Sequence, residues 1–447
     1  MPTSNPFSIC GNNIVTAGGI RSGAILIEQE KIVGVVPLSA IPSRFAIEDV
    51  GDLVVLPGLV DTHVHINEPG RTDWEGFETA TKSAAAGGIT TLIDMPLNST
   101  PVTTTVVALE EKISAARGRL FVDCGFYAGL VPGNENNIEP LINAGIFGVK
   151  AFLTHSGIDD FPNTTEKELR AAMPVLAKYK IPLLVHAELG KGEKKISSTK
   201  MYAEYQSSRP RMWEHDAIEM MIRLCTEYNC RTHIVHLSSS DEVTMLAEAR
   251  ESGLPLTVET CPHYLFFSSE EITDGATQYK CAPPIREGEN RKRLWESLRA
   301  GIIDMIVSDH SPCPPELKCL QEGDFMKAWG GISSLQFGLS IIWTEAKQKG
   351  CTFSDVARWM SSAPASLVGL EHSKGSIAAG YDADILVFNP EKAFIVSRQL
   401  IHHRHKLTPY EGRPLYGTTE RTYVRGSLVF DHGKFIGDPV GDILFRP

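Results

Sequence analysis

Short apolar runs rich in β-branched residues recur along the middle of the chain. They occupy residues 59–66, 89–95, 121–127, 147–153, 182–188, 232–238, 256–261 and 303–309. Seven of the eight are nearly continuously apolar until their C-terminal ends, where polar residues gather. Helix-like patterns lie between them, at 74–86, 104–117, 165–179, 214–228, 241–252 and 290–300. Thr165 with Glu168 three residues on fits a capping box. Gly87-Gly88 and Gly253 stand where helix C-termini are expected to break. Strand and helix alternating eight times predict parallel strands closed into a (β/α)8 barrel over residues 57–374. That span exceeds the typical barrel of roughly 250 residues. Insertions are therefore expected, after Glu188 and after Cys261.

The two ends carry a different pattern. Residues 1–56 and 375–447 hold short strand signals with tight turns, among them 23–35, 384–388 and a hairpin around Gly426. Together they predict one small β-sandwich beside the barrel.

Composition narrows the reading further. The chain has 447 residues, 42% hydrophobic and 22% charged, with a formal charge of −11. That is globular composition, and the acid excess argues against a nucleic-acid or anionic-membrane surface. No stretch approaches the ~20 apolar residues of a membrane span. The first residues, Met-Pro-Thr-Ser-Asn-Pro, lack the pattern of a signal peptide. The C-terminal Phe445-Arg446-Pro447 is neither a prenylation nor a peroxisomal signal. Nine cysteines (10, 124, 225, 230, 261, 281, 313, 319, 351) are scattered, with no C-x-x-C pair. They read as reduced thiols in a soluble, cytoplasmic protein.

Chemistry in such a barrel sits at the C-terminal ends of the strands. Strand one ends in His63-Val-His65, whose i, i+2 spacing aims both imidazoles at one face. Lys150 lies on strand four, His186 on strand five, His236 on strand six and Asp309 on strand eight. Each has a plainer reading. Lys150 alone snorkels, and Asp309 alone caps a helix before Ser311-Pro312. His233, offset by three from His236, reads as a hydrogen-bonded core residue facing away. Six metal-compatible groups at one barrel mouth outweigh the single readings. A buried lysine loses its charge readily, and its neutral amine can take up CO2. The resulting carbamate is an anionic ligand able to bridge two divalent ions. Imidazole with carboxylate oxygens suits Zn²⁺, and also Mn²⁺, Co²⁺ or Fe²⁺.

This constellation resembles the amidohydrolase superfamily. The strand-one stretch 58–65 and the stretch 375–387 both resemble its signatures. Within it the chain is similar to the cyclic amidases: hydantoinases, dihydropyrimidinases, dihydroorotases and allantoinases. The blocks 65–71, 74–80, 87–98, 261–264, 280–286, 308–316, 326–332 and 404–413 look most like the allantoinases. The resemblance implies hydrolytic opening of the allantoin ring to allantoate. It implies two divalent metal ions, zinc foremost, and N6-carboxylated Lys150 between them. His63, His65 and Asp309 would hold the more buried ion, and His186 and His236 the other. Asp309 would accept the water proton and deliver it to the leaving nitrogen. Asn98, His155, the backbone around Ala282, and Ser311 are expected near substrate, while Glu68 and Arg71 are expected to pair with each other. Two departures matter. Dihydroorotases carry Arg at the position of Asn67, and many hydantoinases carry Tyr at that of His155. Hydantoinase, dihydropyrimidinase or dihydroorotase activity is the alternative, and a non-enzymatic assembly protein the alternative of another class. Such amidases also imply a homo-oligomer, tetramer or dimer.

Overall fold

The computed structural model describes residues 5–190 and 196–446. The readings of the first four residues and of Pro447 fall outside them. Five strands come first: β1 (Phe7–Thr16), β2 (Gly19–Glu28), β3 (Lys31–Val36), β4 (Ala46–Asp49) and β5 (Val54–Pro57). The barrel follows as β6 (Leu59–Val64), β7 (Ile89–Asp94), β8 (Asp123–Phe126), β9 (Ala128–Gly129) and β10 (Val149–Phe152). It continues with β11 (Leu183–His186), β12 (Thr232–Ile234), β13 (Leu256–Thr260) and β14 (Met305–Ile306). All eight expected strands are present and pair in parallel. The third changes partner at Tyr127, so β8 pairs with β7 and β9 with β10. A parallel bridge between Val64 and His310 closes the ring. The first two strands are buried along their whole length. Both faces of such a strand are covered, one by the barrel interior and one by helices, so the sequence reads as a continuous apolar run.

The expected helices form within a few residues of their expected ends. At Glu166–Tyr179 the Glu168 carboxylate accepts from the Thr165 backbone N–H at 2.8 Å, completing the capping box. Gly88, just past Phe77–Ala86, has φ 82°, and a Cβ there would lie 2.6 Å from Leu386. Insertions follow the fifth and seventh strands, as expected, with helices Tyr202–Ser208 and Pro262–Phe266. A third, which the sequence did not announce, follows β14 and runs to about residue 334.

The C-terminal strands are β15 (Ile385–Ile395), β16 (Pro414–Val424), β17 (Ser427–Asp431) and β18 (Lys434–Phe435). They join β1–β5 in one nine-stranded sheet drawn from both ends of the chain. Alternation along β15 explains how that sheet packs. Ile385 and Val387 face an isoleucine-rich core with Ile9, Ile25, Ile27 and Val55. Leu386 and Phe388 point the other way, into the barrel's core. The Arg425-Gly426 turn joins β16 to β17 with φ 45° and 75°, the double left-handed turn that matches strand twist. Among the described residues no helix is long and apolar enough to cross a membrane.

Barrel and sheet are also tied by charge. Lys374, buried, donates to Asp123 at 2.6 Å and to Asp384 at 2.7 Å, and lies 2.9 Å from Asp382. Asp123 opens β8, and Asp384 precedes β15. Arg425, in the hairpin turn, pairs with the same Asp123. Lys374→Met would leave the buried Asp384 without its ion-pair partner, while Asp123 keeps Arg425. Breaking a buried pair costs about 3–5 kcal/mol. Chemical denaturation followed by circular dichroism should show a loss of that order in the variant. A loss below about 1 kcal/mol would show that the junction does not depend on Lys374.

Candidate active site

The side chains expected at the barrel mouth do meet there. His63 is the next-to-last residue of β6, and His65 directly follows the strand. Their rings lie 5.6 Å apart, and each aims Nε2 at Asp309 Oδ1, at 3.3 and 3.6 Å. Ligand atoms of His63, His65 and Asp309 all lie within 4.8 Å of one another. His186 closes β11, and His236 stands two residues past β12. His186 Nδ1 is 3.0 Å from His236 Nε2. Lys150, on β10, is fully buried, and its Nζ has no hydrogen-bond partner among the described residues. Two of these residues are held off ordinary strand geometry. His236 has φ 40° and Asp309 φ 43°, a left-handed conformation uncommon for non-glycine residues and concentrated at functional sites.

The fit to divalent ions rests on what holds the outer nitrogens. Glu259, on β13, accepts from His63 Nδ1 at 2.5 Å, leaving the Nε2 lone pair toward the centre. Glu188 accepts from His186 Nε2 at 2.7 Å, leaving the Nδ1 lone pair toward His236. The Asn98 carboxamide lies 3.3 Å from His65 Nδ1, and its oxygen is otherwise buried without a donor. Turning that amide over makes the oxygen the acceptor and frees His65 Nε2. Imidazoles fixed in this way are the usual support of metal ligands.

Electrostatics agree. Burial, foremost, keeps His65 at about 4 and lowers His186 and His236 as well, so all three are neutral near pH 7. Burial would raise Asp309, but the imidazoles around it hold it well below the usual carboxylate range. Glu259 is likewise pushed up by burial and pulled down further by His63 and His233, to about 2. Burial brings Lys150 down to about 8. Cys261 and His263 also approach Asp309. Burial pushes the Cys261 thiol well up, so it stays protonated and is a poor ligand.

Several expectations change. His233 does not face away. It donates or accepts at Thr257 Oγ1 (2.8 Å) and at Glu259 Oε2 (2.9 Å), and so supports the carboxylate that holds His63. The strand ends at Ile234, so its alternation does not extend to His236. Asp309 caps no helix. Glu68 and Arg71 do not pair with each other: Glu68 binds Arg119 and the Phe77 N–H, while Arg71 reaches the Asn98 carbonyl at 3.1 Å. Ser311 Oγ donates to Asp309 Oδ1 at 3.0 Å. His155 is exposed on the rim, accepting from the Gly157 N–H. All of Asn98, His155, Ala282 and Ser311 line a cavity of about 660 Å3 over the cluster. Glu188 and Glu259 carried no role in the sequence reading. The available signal was a carboxylate at the end of an apolar strand, which must find a partner when buried.

The chain matches the amidohydrolase family model over residues 54–429. An allantoinase of Streptomyces avermitilis is 46% identical over 97% of this chain and 97% of its own length. The allantoinase of Saccharomyces cerevisiae is 44% identical over 89% and 87%. An L-hydantoinase (dihydropyrimidinase) from Arthrobacter aurescens superposes with a TM-score of 0.91 at 32% identity, covering 98% of this chain and 100% of that one. The family match begins at β5, takes in every candidate ligand and ends in the last long hairpin, and the chain belongs to the amidohydrolase family of metal-dependent hydrolases.

Proposed function

We propose that this chain hydrolyses the five-membered ring of allantoin to allantoate. Near-full-length identity to allantoinases from a bacterium and a yeast carries this reading. The strand-one loop supports it. Asn67 is buried there and donates to the Pro312 carbonyl at 3.4 Å, so a neutral amide stands where a dihydroorotate carboxylate would call for arginine. A non-enzymatic role fits poorly with six ligand-type residues retained and buried around one point.

His63, His65 and Asp309 would hold one divalent ion, His186 and His236 the other, and Lys150 would bridge them. Zinc is the first choice, since neutral imidazole and carboxylate oxygens suit it. When bound, the ions would supply Lewis acidity and lower the pKa of water toward about 7. The Lys150 amine adds to CO2, forming an N–C bond and releasing a proton, and so becomes an anionic oxygen ligand. Asp309, kept ionised, takes the proton released as water adds to the scissile carbonyl. It returns that proton to the ring nitrogen as the C–N bond breaks. Ser311 fixes the Asp309 oxygen by its hydrogen bond. We assign the barrel to 57–374 and the flanking sheet domain to 1–56 with 375–447. We also infer a cytoplasmic homo-oligomer, tetramer or dimer, in a compartment that keeps the free cysteines reduced.

The deciding assay offers allantoin, dihydroorotate, dihydrouracil and hydantoin in parallel to metal-loaded enzyme. Allantoin should be opened fastest, and a clear preference for another ring overturns the substrate assignment. Lys150→Ala should abolish activity, with partial rescue by short carboxylic acids. Full activity without rescue removes the carbamate bridge.

Carboxylation needs the neutral amine, which gains population as pH rises toward the Lys150 value of about 8. At fixed dissolved CO2, reactivation of metal-stripped enzyme should therefore speed up from pH 6 and level off above about pH 8. A rate still climbing tenfold per unit at pH 9.5 would mean an unperturbed lysine.

Glu259→Gln keeps an acceptor near His63 but removes the charge. Loss of such a support lowers metal affinity by roughly 10–100-fold. Competition with a chromophoric chelator measures this directly, and an unchanged affinity would show that Glu259 does not orient His63.

A further inference from the structure

Glu259 is held from two sides. One oxygen accepts from His63 Nδ1 and, at 3.3 Å, from the His236 backbone N–H. A single carboxylate thus touches residues assigned to both ions. The other oxygen meets His233 Nε2 at 2.9 Å. His233 and Thr257 are register partners on the neighbouring strands β12 and β13. Thr257 and Glu259, two apart on β13, share a face. The His233 ring bridges them, with Nδ1 2.8 Å from Thr257 Oγ1.

This line of contacts leads away from the ligand cluster. Thr232 and Leu256 open β12 and β13, and Pro182 directly precedes β11. With Thr257 they line a second cavity, of about 310 Å3, at the opposite end of the barrel. Thr257 is half-buried there, whereas His233, Glu259 and His63 are buried. Four side chains in hydrogen-bond contact therefore connect the barrel floor to a ligand: Thr257, His233, Glu259 and His63.

The chemistry of each link makes the hydroxyl matter. An ionised carboxylate only accepts, so Glu259 takes one N–H from each imidazole. His233 then donates through Nε2 and has Nδ1 left for Thr257. A hydroxyl both donates and accepts, so it satisfies Nδ1 whether that nitrogen bears a proton or a lone pair. Without the hydroxyl a buried ring nitrogen is left unpaired, and nothing fixes the ring against Glu259.

We propose that Thr257 is a positioning residue for metal binding, holding His63 from the barrel floor through His233 and Glu259. The inference rests on the assignment of His63 as a ligand. Neither Thr257 nor His233 lines the cavity over the ligand cluster, so both act without touching substrate.

The test measures zinc affinity by competition with a chromophoric chelator. It compares the wild-type enzyme with T257V, T257A, T257S, E259Q and the T257V/E259Q double variant. T257V keeps the branched shape and removes the hydroxyl, and T257S keeps the hydroxyl. Loss of a group that supports a ligand directly lowers metal affinity by roughly 10–100-fold. Thr257 stands two steps further back, so T257V and T257A should each lower affinity by about 3–10-fold, with T257S within about twofold of wild type. Because Thr257 acts through Glu259, T257V should cost less than about twofold more once E259Q is present. A T257V or T257A loss below about twofold, a T257S loss equal to theirs, or a T257V loss undiminished in the E259Q background overturns the assignment. If the wild-type enzyme binds no zinc, the ligand assignment fails on its own, before any variant is compared.

Discussion

A hydrogen bond at one nitrogen of a buried imidazole fixes which nitrogen presents its lone pair to a cation. Three of the four ligand histidines are held in this way, and His236 Nδ1 has no partner among the described residues. The barrel mouth is organised around that constraint. Glu259 holds His63, Glu188 holds His186, and Asn98 holds His65. Each support is itself buried and needs its own partner. Glu259 finds a second one in His233, so β6, β12 and β13 are cross-linked through one carboxylate. Glu188 finds Arg209, whose positive charge is foremost in drawing it down to about 2 against the upward push of burial. The result is a set of neutral imidazoles around an ionised Asp309, with the uncompensated Lys150 amine beside them. Without supports, burial would leave the ring orientations unspecified.

The same constraint accounts for the way the strands end. Below the mouth, alternation places side chains in barrel layers. At His236 and Asp309 the chain turns left-handed, and the side chains swing out of that alternation toward the centre. Such backbone persists only where its surroundings over-determine it. Behind Asp309, His310 is bridged to Val64 and Ile332 and faces the buried Glu75 at 3.4 Å. Glu75 in turn accepts from the Arg404 N–H at 3.1 Å. The 404–413 block, read from sequence only as a likeness, therefore has a physical role: it backs the eighth strand from the sheet side.

Legibility in the sequence followed the range of the interactions. The eight strands were visible because burial on both faces makes each one an apolar run, and the ligands because polar residues break those runs at one end. The nine-stranded sheet was visible in outline through alternation and the Gly426 turn. What escaped was set by contacts between distant segments. His233 is the hydrogen-bonded core residue expected, but its direction and its role beside His63 escaped because its partner Glu259 lies 26 positions away. Glu68 and Arg71 looked like a local pair, yet Glu68 finds Arg119, which lies past the end of the helix Val106–Ala116. The insertion after β14 carries no strong periodicity, and its place in the cavity wall depends on Lys318 bonding to three carbonyls. A lysine in a loop gives no sign of that in sequence.

This division of labour has a consequence for how the family's chemistry varies. Close to the ligand cluster, Asn98, Ser311, Glu188 and Glu259 are each committed to holding another protein group, so little of their capacity remains to distinguish one cyclic amide from another. A hydantoinase superposes on this chain with a TM-score of 0.91 at 32% identity, as expected if the ligand-bearing barrel tolerates little change. Discrimination must then come from the wall farther out, built by the loop at 280 and the strap 312–331. That wall is held mainly by hydrogen bonds from Lys280 and Lys318 to main-chain carbonyls. Such contacts depend on backbone shape and not on neighbouring side chains, so residues facing the cavity can change without undoing the wall. A rigid centre with an exchangeable rim reconciles close structural likeness with different substrates, since function resides in sites placed on the fold.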